Sequence, residues 1–173
     1  MVSSSSKDTN ESISTLRIKS NQWLHTLLKD KHFDTVLNLG CGTDEDKQGG
    51  YYFEYFSHRK MVFVDTKKTR ITTCVADAAM LPFQNGVFDF VFCNWLLYKD
   101  YPYPPPVLDE IKRVIKPKGK VMISYWRCCS DTFRTLDRFV QSMITFEEIF
   151  TKRCTMQADD RGGIARLGYG TII

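Results

Sequence analysis

The sequence predicts an α/β fold with parallel central strands and an antiparallel hairpin at its end. Three observations carry this. Short β-prone runs alternate with helix-period segments from residue 35 to residue 126, the pattern of repeated strand–helix–strand units. Val87–Cys93 is an almost continuous apolar run, as in a strand covered on both faces. Two late β-prone runs flank Asp159-Asp-Arg-Gly-Gly163, a turn-forming stretch.

In chain order, Met1–Ser14 is Ser-rich and polar, without the apolar run of a secretory signal, and reads as a flexible tail. Residues 15–173 read as one domain, a size typical of single domains. Ile13, Leu16, Trp23, Leu24, Leu27 and Leu28 recur at helical spacing, and Lys29–His32 put positive charge in the closing turn. The first strand, Thr35–Leu39, ends at Gly40-Cys41-Gly42; the second, Met61–Val64, ends at Asp65. The third, Ile71–Ala76, ends at Asp77, and the fourth, Val87–Cys93, ends at Asn94-Trp95. A short helix is expected over Gly49–Ser57 and a loop over Tyr101–Pro106.

Pro105 or Pro106 can open a helix, since proline tolerates the first turn. That helix carries Val107, Leu108, Ile111, Val114 and Ile115 on one face and stops at Pro117 and Gly119. Val121–Trp126 is the fifth strand and Thr132–Ile144 another helix, with Phe133, Leu136, Phe139, Val140 and Met143 on one face. Thr151–Gln157 and Ile164–Ile173 form the hairpin.

Composition narrows the class. With 43% hydrophobic and 13% aromatic residues, the 173-residue chain can build a core, which excludes a disordered tail or a disulfide-stapled miniprotein. Its apolar runs fall far short of the roughly 20 residues that cross a bilayer, so no membrane span is expected. A net charge of +4 neither requires nor excludes an acidic partner, so nucleic acid stays open. The six cysteines form no C-x-x-C and no metal-type spacing with His25, His32 or His58; no metal site is expected, and a reducing cytoplasmic compartment is.

The chemistry concentrates at the strand ends, where open α/β sheets bind ligands. Gly40 and Gly42 let the backbone turn tightly and approach a ligand without a Cβ in the way. Asp65 after the second strand can accept from both hydroxyls of a ribose, each charge-assisted bond being worth roughly 1.5–3 kcal/mol. Asp77 after the third can accept from an adenine amino group, with the small Ala78 leaving room for the ring. Together these features describe a site for an adenosine-containing cofactor. A dehydrogenase site on the same fold would need glycine where Glu45 stands.

Thr35-Val-Leu-Asn-Leu-Gly-Cys-Gly-Thr43, Val62-Phe-Val-Asp65, Ala76-Asp-Ala-Ala-Met-Leu-Pro-Phe83, Phe88–Leu97 and Ile111–Val121 resemble the successive motifs of class I S-adenosylmethionine-dependent methyltransferases. The resemblance covers about Asp34 to Tyr125 and implies a doubly wound, three-layer α/β/α sandwich around a mostly parallel seven-stranded sheet with a C-terminal antiparallel hairpin. It implies S-adenosyl-L-methionine as cofactor and S-adenosyl-L-homocysteine as product. Gly40, Cys41 and Gly42 are then expected beneath the methionine part and Asp65 at the ribose. Thr66 and Met80 or Leu81 border the adenine, Asp77 and Ala78 lie at its amino group, and Asn94 and Trp95 line the methyl-transfer side.

Three positions depart from the family pattern. Asn38 stands where an acid usually anchors the cofactor's ammonium, Asp44 where a glycine is common, and Lys118 where a turn glycine is common. Asn38 with the acids Asp44-Glu-Asp46 motivates an alternative, a catalytically inactive methyltransferase fold serving as a binding or regulatory subunit.

No catalytic residue is assigned, because transfer from a sulfonium is mainly a matter of positioning. Tyr98, Asp100, Tyr101, Tyr103, Tyr125, Trp126 and Arg127 are candidates for the acceptor side, His25 for a lid. Arg127, Arg134, Arg138, Lys152 and Arg153 could gather on an anion-binding rim. The few residues outside the core point to a small-molecule acceptor or to a macromolecular substrate whose site a partner chain completes.

Overall fold

A computed structural model describes residues 13–42, 60–97, 104–127, 131–156 and 159–173. In chain order these form α1 (Ile13–Leu28), β1 (Thr35–Leu39), β2 (Lys60–Asp65), β3 (Cys74–Val75), β4 (Phe88–Leu97), α2 (Pro104–Val114), β5 (Ile115–Arg127), α3 (Asp131–Met143), β6 (Ile144–Met156) and β7 (Asp159–Ile172). The seven strands make one sheet in the order β3-β2-β1-β4-β5-β7-β6. β1 to β5 run parallel, and β7 is antiparallel to both of its neighbours. The order reverses between β1 and β4, the switch point where such sheets open a crevice at their carboxyl ends.

Side-chain alternation along the central strands divides the core into two layers. Leu37, Leu39, Val91, Cys93, Val121 and Ile123 pack beneath α2 and α3, against Val107, Leu108, Ile111, Leu136 and Val140. Their neighbours Val36, Phe90, Phe92 and Met122 face the other way, toward Leu24 and Leu28 of α1, with Phe33 and Tyr169. The Phe33 and Phe90 rings stack at 4.6 Å. Because both faces are covered, β4 reads as a continuous apolar run, and each of these buried side chains contributes roughly 1.5–3 kcal/mol.

The amino end of the sheet is tied by one carboxylate. Asp89 Oδ2 accepts from the Thr35 amide at 2.9 Å and the Thr35 hydroxyl at 2.8 Å, while Oδ1 pairs with Lys116 Nζ at 2.8 Å. Burial pulls the Asp89 carboxyl upward, but Lys116 and Thr35 outweigh it and hold it below the usual aspartate range.

Several expected boundaries move. α1 takes in Ile13 and Ser14, the end of the expected tail. β3 shrinks from Ile71–Ala76 to two residues, because threonine hydroxyls replace the ladder before it. Thr72 Oγ1 bonds Thr69 Oγ1 at 2.7 Å and donates to Lys67 O at 3.1 Å, while Thr73 Oγ1 donates to Phe63 O at 3.1 Å. β4 continues through Asn94 and Trp95 to Leu97, so those two lie within the strand instead of after it; its pairing with β5 shifts register between Cys93 and Leu97.

The turn at Pro117–Gly119 is absorbed into β5 as an irregularity, with Lys118 at φ +65°. Residues 159–163, expected as the hairpin turn, belong to β7 instead, with Asp159 already paired with Met156. The expected helix over Gly49–Ser57 and residues 101–103 of the expected loop lie outside the described residues, while Pro104–Pro106, the rest of that loop, form the first turn of α2.

Candidate functional site at the carboxyl ends of the strands

Three consecutive strand ends are sewn together by backbone and carboxylate. After β1 the chain turns through Gly40 (φ +68°) and Gly42 (φ +72°), left-handed conformations that cost a side-chain-bearing residue about 1–2 kcal/mol. The Gly40 and Cys41 amides donate to Val64 O at 2.9 and 3.2 Å. The Gly42 amide donates to Asp65 Oδ2 at 3.0 Å, which binds the glycine turn to the end of β2. Asp65 O accepts from the Ala76 amide at 3.1 Å, bringing the end of β3 alongside.

Asp65 Oδ1 accepts from the Lys67 amide at 3.1 Å, with the exposed Thr66 hydroxyl at 3.5 Å. An ionised carboxylate offers about four acceptor positions, so two firm amide bonds leave Asp65 able to take more. Asp77, exposed after β3, caps its own turn: the Ala79 amide donates to Asp77 Oδ1 at 2.8 Å and the Met80 amide to Asp77 O at 3.0 Å. Ala78 is buried behind it, whereas Met80 is 76% exposed, an unusual position for an apolar side chain in a firmly bonded turn.

Cys41 sits buried between the glycines, its Sγ 3.8 Å from Thr72 Oγ1. Burial, with the Asp65 charge adding to it, raises the thiol pKa despite the Thr72 hydrogen bond, so Cys41 stays protonated. Cys93, deep in β4, is pushed up to about 12 by burial. Asn38 lies one step inside the sheet, 3% exposed, paired in register with Phe63 and Phe92. A neutral amide avoids the cost that a carboxylate would incur there.

The structure therefore joins Gly40, Cys41, Gly42, Asp65 and Thr66 directly. Asp77 and Ala78 follow β3, whose end is held against Asp65 by the Ala76 amide, and Asn38 stands behind the glycine turn. Asn94 and Trp95 belong to β4 by backbone; the next residue, Leu96, packs against Gly40, where an added Cβ would meet Leu96 Cδ1 at 2.9 Å. On the acceptor side, Tyr98, Asp100, Tyr101 and Tyr103 lie outside the described residues.

Tyr125 is described, and the structure puts it in the core instead of in a cleft wall. Its hydroxyl donates to Asp137 Oδ1 of α3 at 2.9 Å, and Arg166 of β7 pairs with the same oxygen at 2.9 Å. Burial above all, with Asp137 adding, raises the phenol pKa, so Tyr125 holds its proton and donates it to Asp137.

Sequence reasoning did not find Thr72, Glu110 or Arg113. Thr72 links Cys41 to the loop after Asp65 through side-chain bonds that leave no periodicity. Glu110 and Arg113 carry an i,i+3 signal on α2, indistinguishable in sequence from an ordinary surface pair.

The model of a methyltransferase domain family matches residues 37–123. Among solved structures, the chain resembles a protein from Pyrococcus horikoshii OT3 at 16% identity, covering 95% of this chain and 93% of that one, with a TM-score of 0.66. It also resembles the N-methyltransferase NodS from Bradyrhizobium japonicum WM9, crystallised with S-adenosylhomocysteine: 16% identity, 94% and 89% covered, TM-score 0.63. A third is the Burkholderia thailandensis 1,6-didemethyltoxoflavin-N1-methyltransferase with bound 1,6-didemethyltoxoflavin and S-adenosylhomocysteine, at 15% identity, 90% and 78% covered, TM-score 0.62. At such identities the likeness shows a shared fold. No curated protein matches the chain by sequence.

Proposed function

Since the chain belongs to the methyltransferase domain family, we propose that it transfers a methyl group from S-adenosylmethionine to a small-molecule acceptor by in-line displacement. The observation that carries this reading is the Gly42–Asp65 bond: it holds the positive-φ glycine turn after β1 against a carboxylate with spare acceptor capacity at the carboxyl end of β2. The residues suit the group. Two positive-φ glycines keep Cβ atoms off the turn, Asp65 can take ribose hydroxyls, and Asp77, Ala78 and the exposed Met80 offer an acceptor, a small neighbour and an apolar face for adenine. Asn38 stands behind the turn as a neutral acceptor, and Asn94 and Trp95 occupy the strand bordering the acceptor side.

When bound, the sulfonium supplies an electrophilic methyl group. The protein's part is to hold the acceptor opposite it and keep water out, which can supply roughly 7–11 kcal/mol in well-oriented cases. Cys41 and Tyr125 keep their protons and take no base role; an acceptor that must lose a proton needs another group. Residues 15–173 act as one catalytic domain, and the free thiols Cys41, Cys74 and Cys93 suit a reducing, cytoplasmic setting.

Calorimetric titration with S-adenosylmethionine and S-adenosylhomocysteine tests the proposal. Micromolar binding is expected, followed by methyl transfer to members of a small-molecule amine, thiol and hydroxyl panel. Absence of binding at millimolar ligand overturns it and leaves the non-catalytic binding subunit as the better reading.

A further inference from the structure

We infer that the Glu110–Arg113 pair of α2 is a positioning element for the cofactor site: it clamps the segment after β3 so that Asp77 and Met80 are presented to the adenine. The inference rests on the cofactor reading above and adds residues that touch no ligand.

Arg113 has five N–H donors, and five hydrogen bonds account for them. Nε donates to Glu110 Oε1 at 2.6 Å and Nη2 to Glu110 Oε2 at 2.7 Å, a bidentate fork. The remaining bonds reach the opposite segment: Nη2 to Leu81 O at 2.9 Å, and Nη1 to Phe83 O at 2.7 Å and Asn85 Oδ1 at 3.0 Å. Glu110 Oε2 accepts in return from the Leu81 amide at 2.6 Å. Beyond these, the Gly86 and Val87 amides donate to Arg113 O at 3.0 Å and Val114 O at 2.7 Å, satisfying carbonyls at the end of α2.

Leu81 is thus gripped at both its amide and its carbonyl, one residue after Met80 and directly after the Asp77 turn. The strand β3 beside it is only two residues long and cannot orient this segment by itself. The clamp explains how Met80 stays 76% exposed in a turn with little freedom to fold it inward. A surface ion pair of this kind contributes little by Coulomb energy alone. Its value here lies in holding three backbone groups of one loop at once, and Arg113→Lys keeps the charge while losing the fork.

The test compares S-adenosylhomocysteine with S-inosylhomocysteine, which carries oxygen in place of the adenine amino group. The folded protein is expected to prefer the adenine form about tenfold. In Arg113→Lys, and separately in Glu110→Gln, that preference is expected to fall below about threefold, with the loss confined to the adenine ligand. Amide exchange at Met80 and Leu81 is expected to accelerate in both variants, even if one is too unstable for titration. An unchanged preference in either folded variant overturns the inference. Equal weakening of both ligands reduces the pair to general stability and also overturns it. A parent protein that binds neither ligand overturns the cofactor reading itself, and this inference with it.

Discussion

Asp89 and Asp65 stand at opposite edges of the parallel part of one sheet, at the amino end of β4 and the carboxyl end of β2, and use the same carboxylate in opposite ways. Asp89, at the start of β4, is saturated by the Asp34 and Thr35 amides, the Thr35 hydroxyl and the Lys116 ammonium, tying β1, β4 and β5 together. Asp65, at the end of β2, spends its firm bonds on two backbone amides and remains a competent acceptor at the carboxyl end of the sheet. Neither is predictable from residue type. What separates them is which end of the strand they occupy and whether cations or only amides surround them.

The largest effect expected from breaking this contrast is Asp89→Ala. It removes a charge-assisted network and is predicted to cost about 3 kcal/mol in urea unfolding, with affinity for S-adenosylhomocysteine within about twofold of the parent. This network and the separate Glu110–Arg113 pair share a pH signature. Asp89 and Glu110 both have folded pKa values below their ordinary 3.8 and 4.5, Glu110 because the Arg113 fork and then the Leu81 amide favour its ionised form. Their contributions are therefore complete above pH 4.5 and disappear as pH falls through the lower folded values. Unfolding followed from pH 6 to pH 2 should show the loss, and Asp89→Ala should flatten it.

Next in size is Gly40→Ala. A positive φ and a Cβ 2.9 Å from Leu96 Cδ1 predict about 2 kcal/mol of destabilisation, read from the shift in the unfolding midpoint. Asp65→Ala mirrors Asp89→Ala: binding of S-adenosylhomocysteine weakens about tenfold, near 1.4 kcal/mol, while stability changes by less than that. If Asp65→Ala instead destabilises the protein as much as Asp89→Ala does and leaves affinity intact, the two carboxylates are not distinct in role. The smallest effect is a gain. Lys118 holds φ +65° on an exposed turn, so Lys118→Gly is expected to raise stability by about 0.5–1 kcal/mol in the same unfolding assay.

The strand periodicities, the glycine turn, the acids closing β2 and β3, and the alternation of strand and helix were legible in the sequence because each rests on local chemistry. Alternation decides which face a strand residue takes, and a left-handed turn selects glycine. Those features determined the fold class and pointed to Gly40, Gly42, Asp65 and Asp77. Tertiary structure alone decided that β7 inserts between β5 and β6, that Tyr125 is consumed by Asp137 and Arg166, and that threonine side chains cut β3 to two residues. It also decided that Arg113 reaches across to Leu81, Phe83 and Asn85, some thirty positions earlier in the chain. Such pairings join residues far apart in sequence, and no local pattern specifies a partner that only the packed sheet brings within 3 Å.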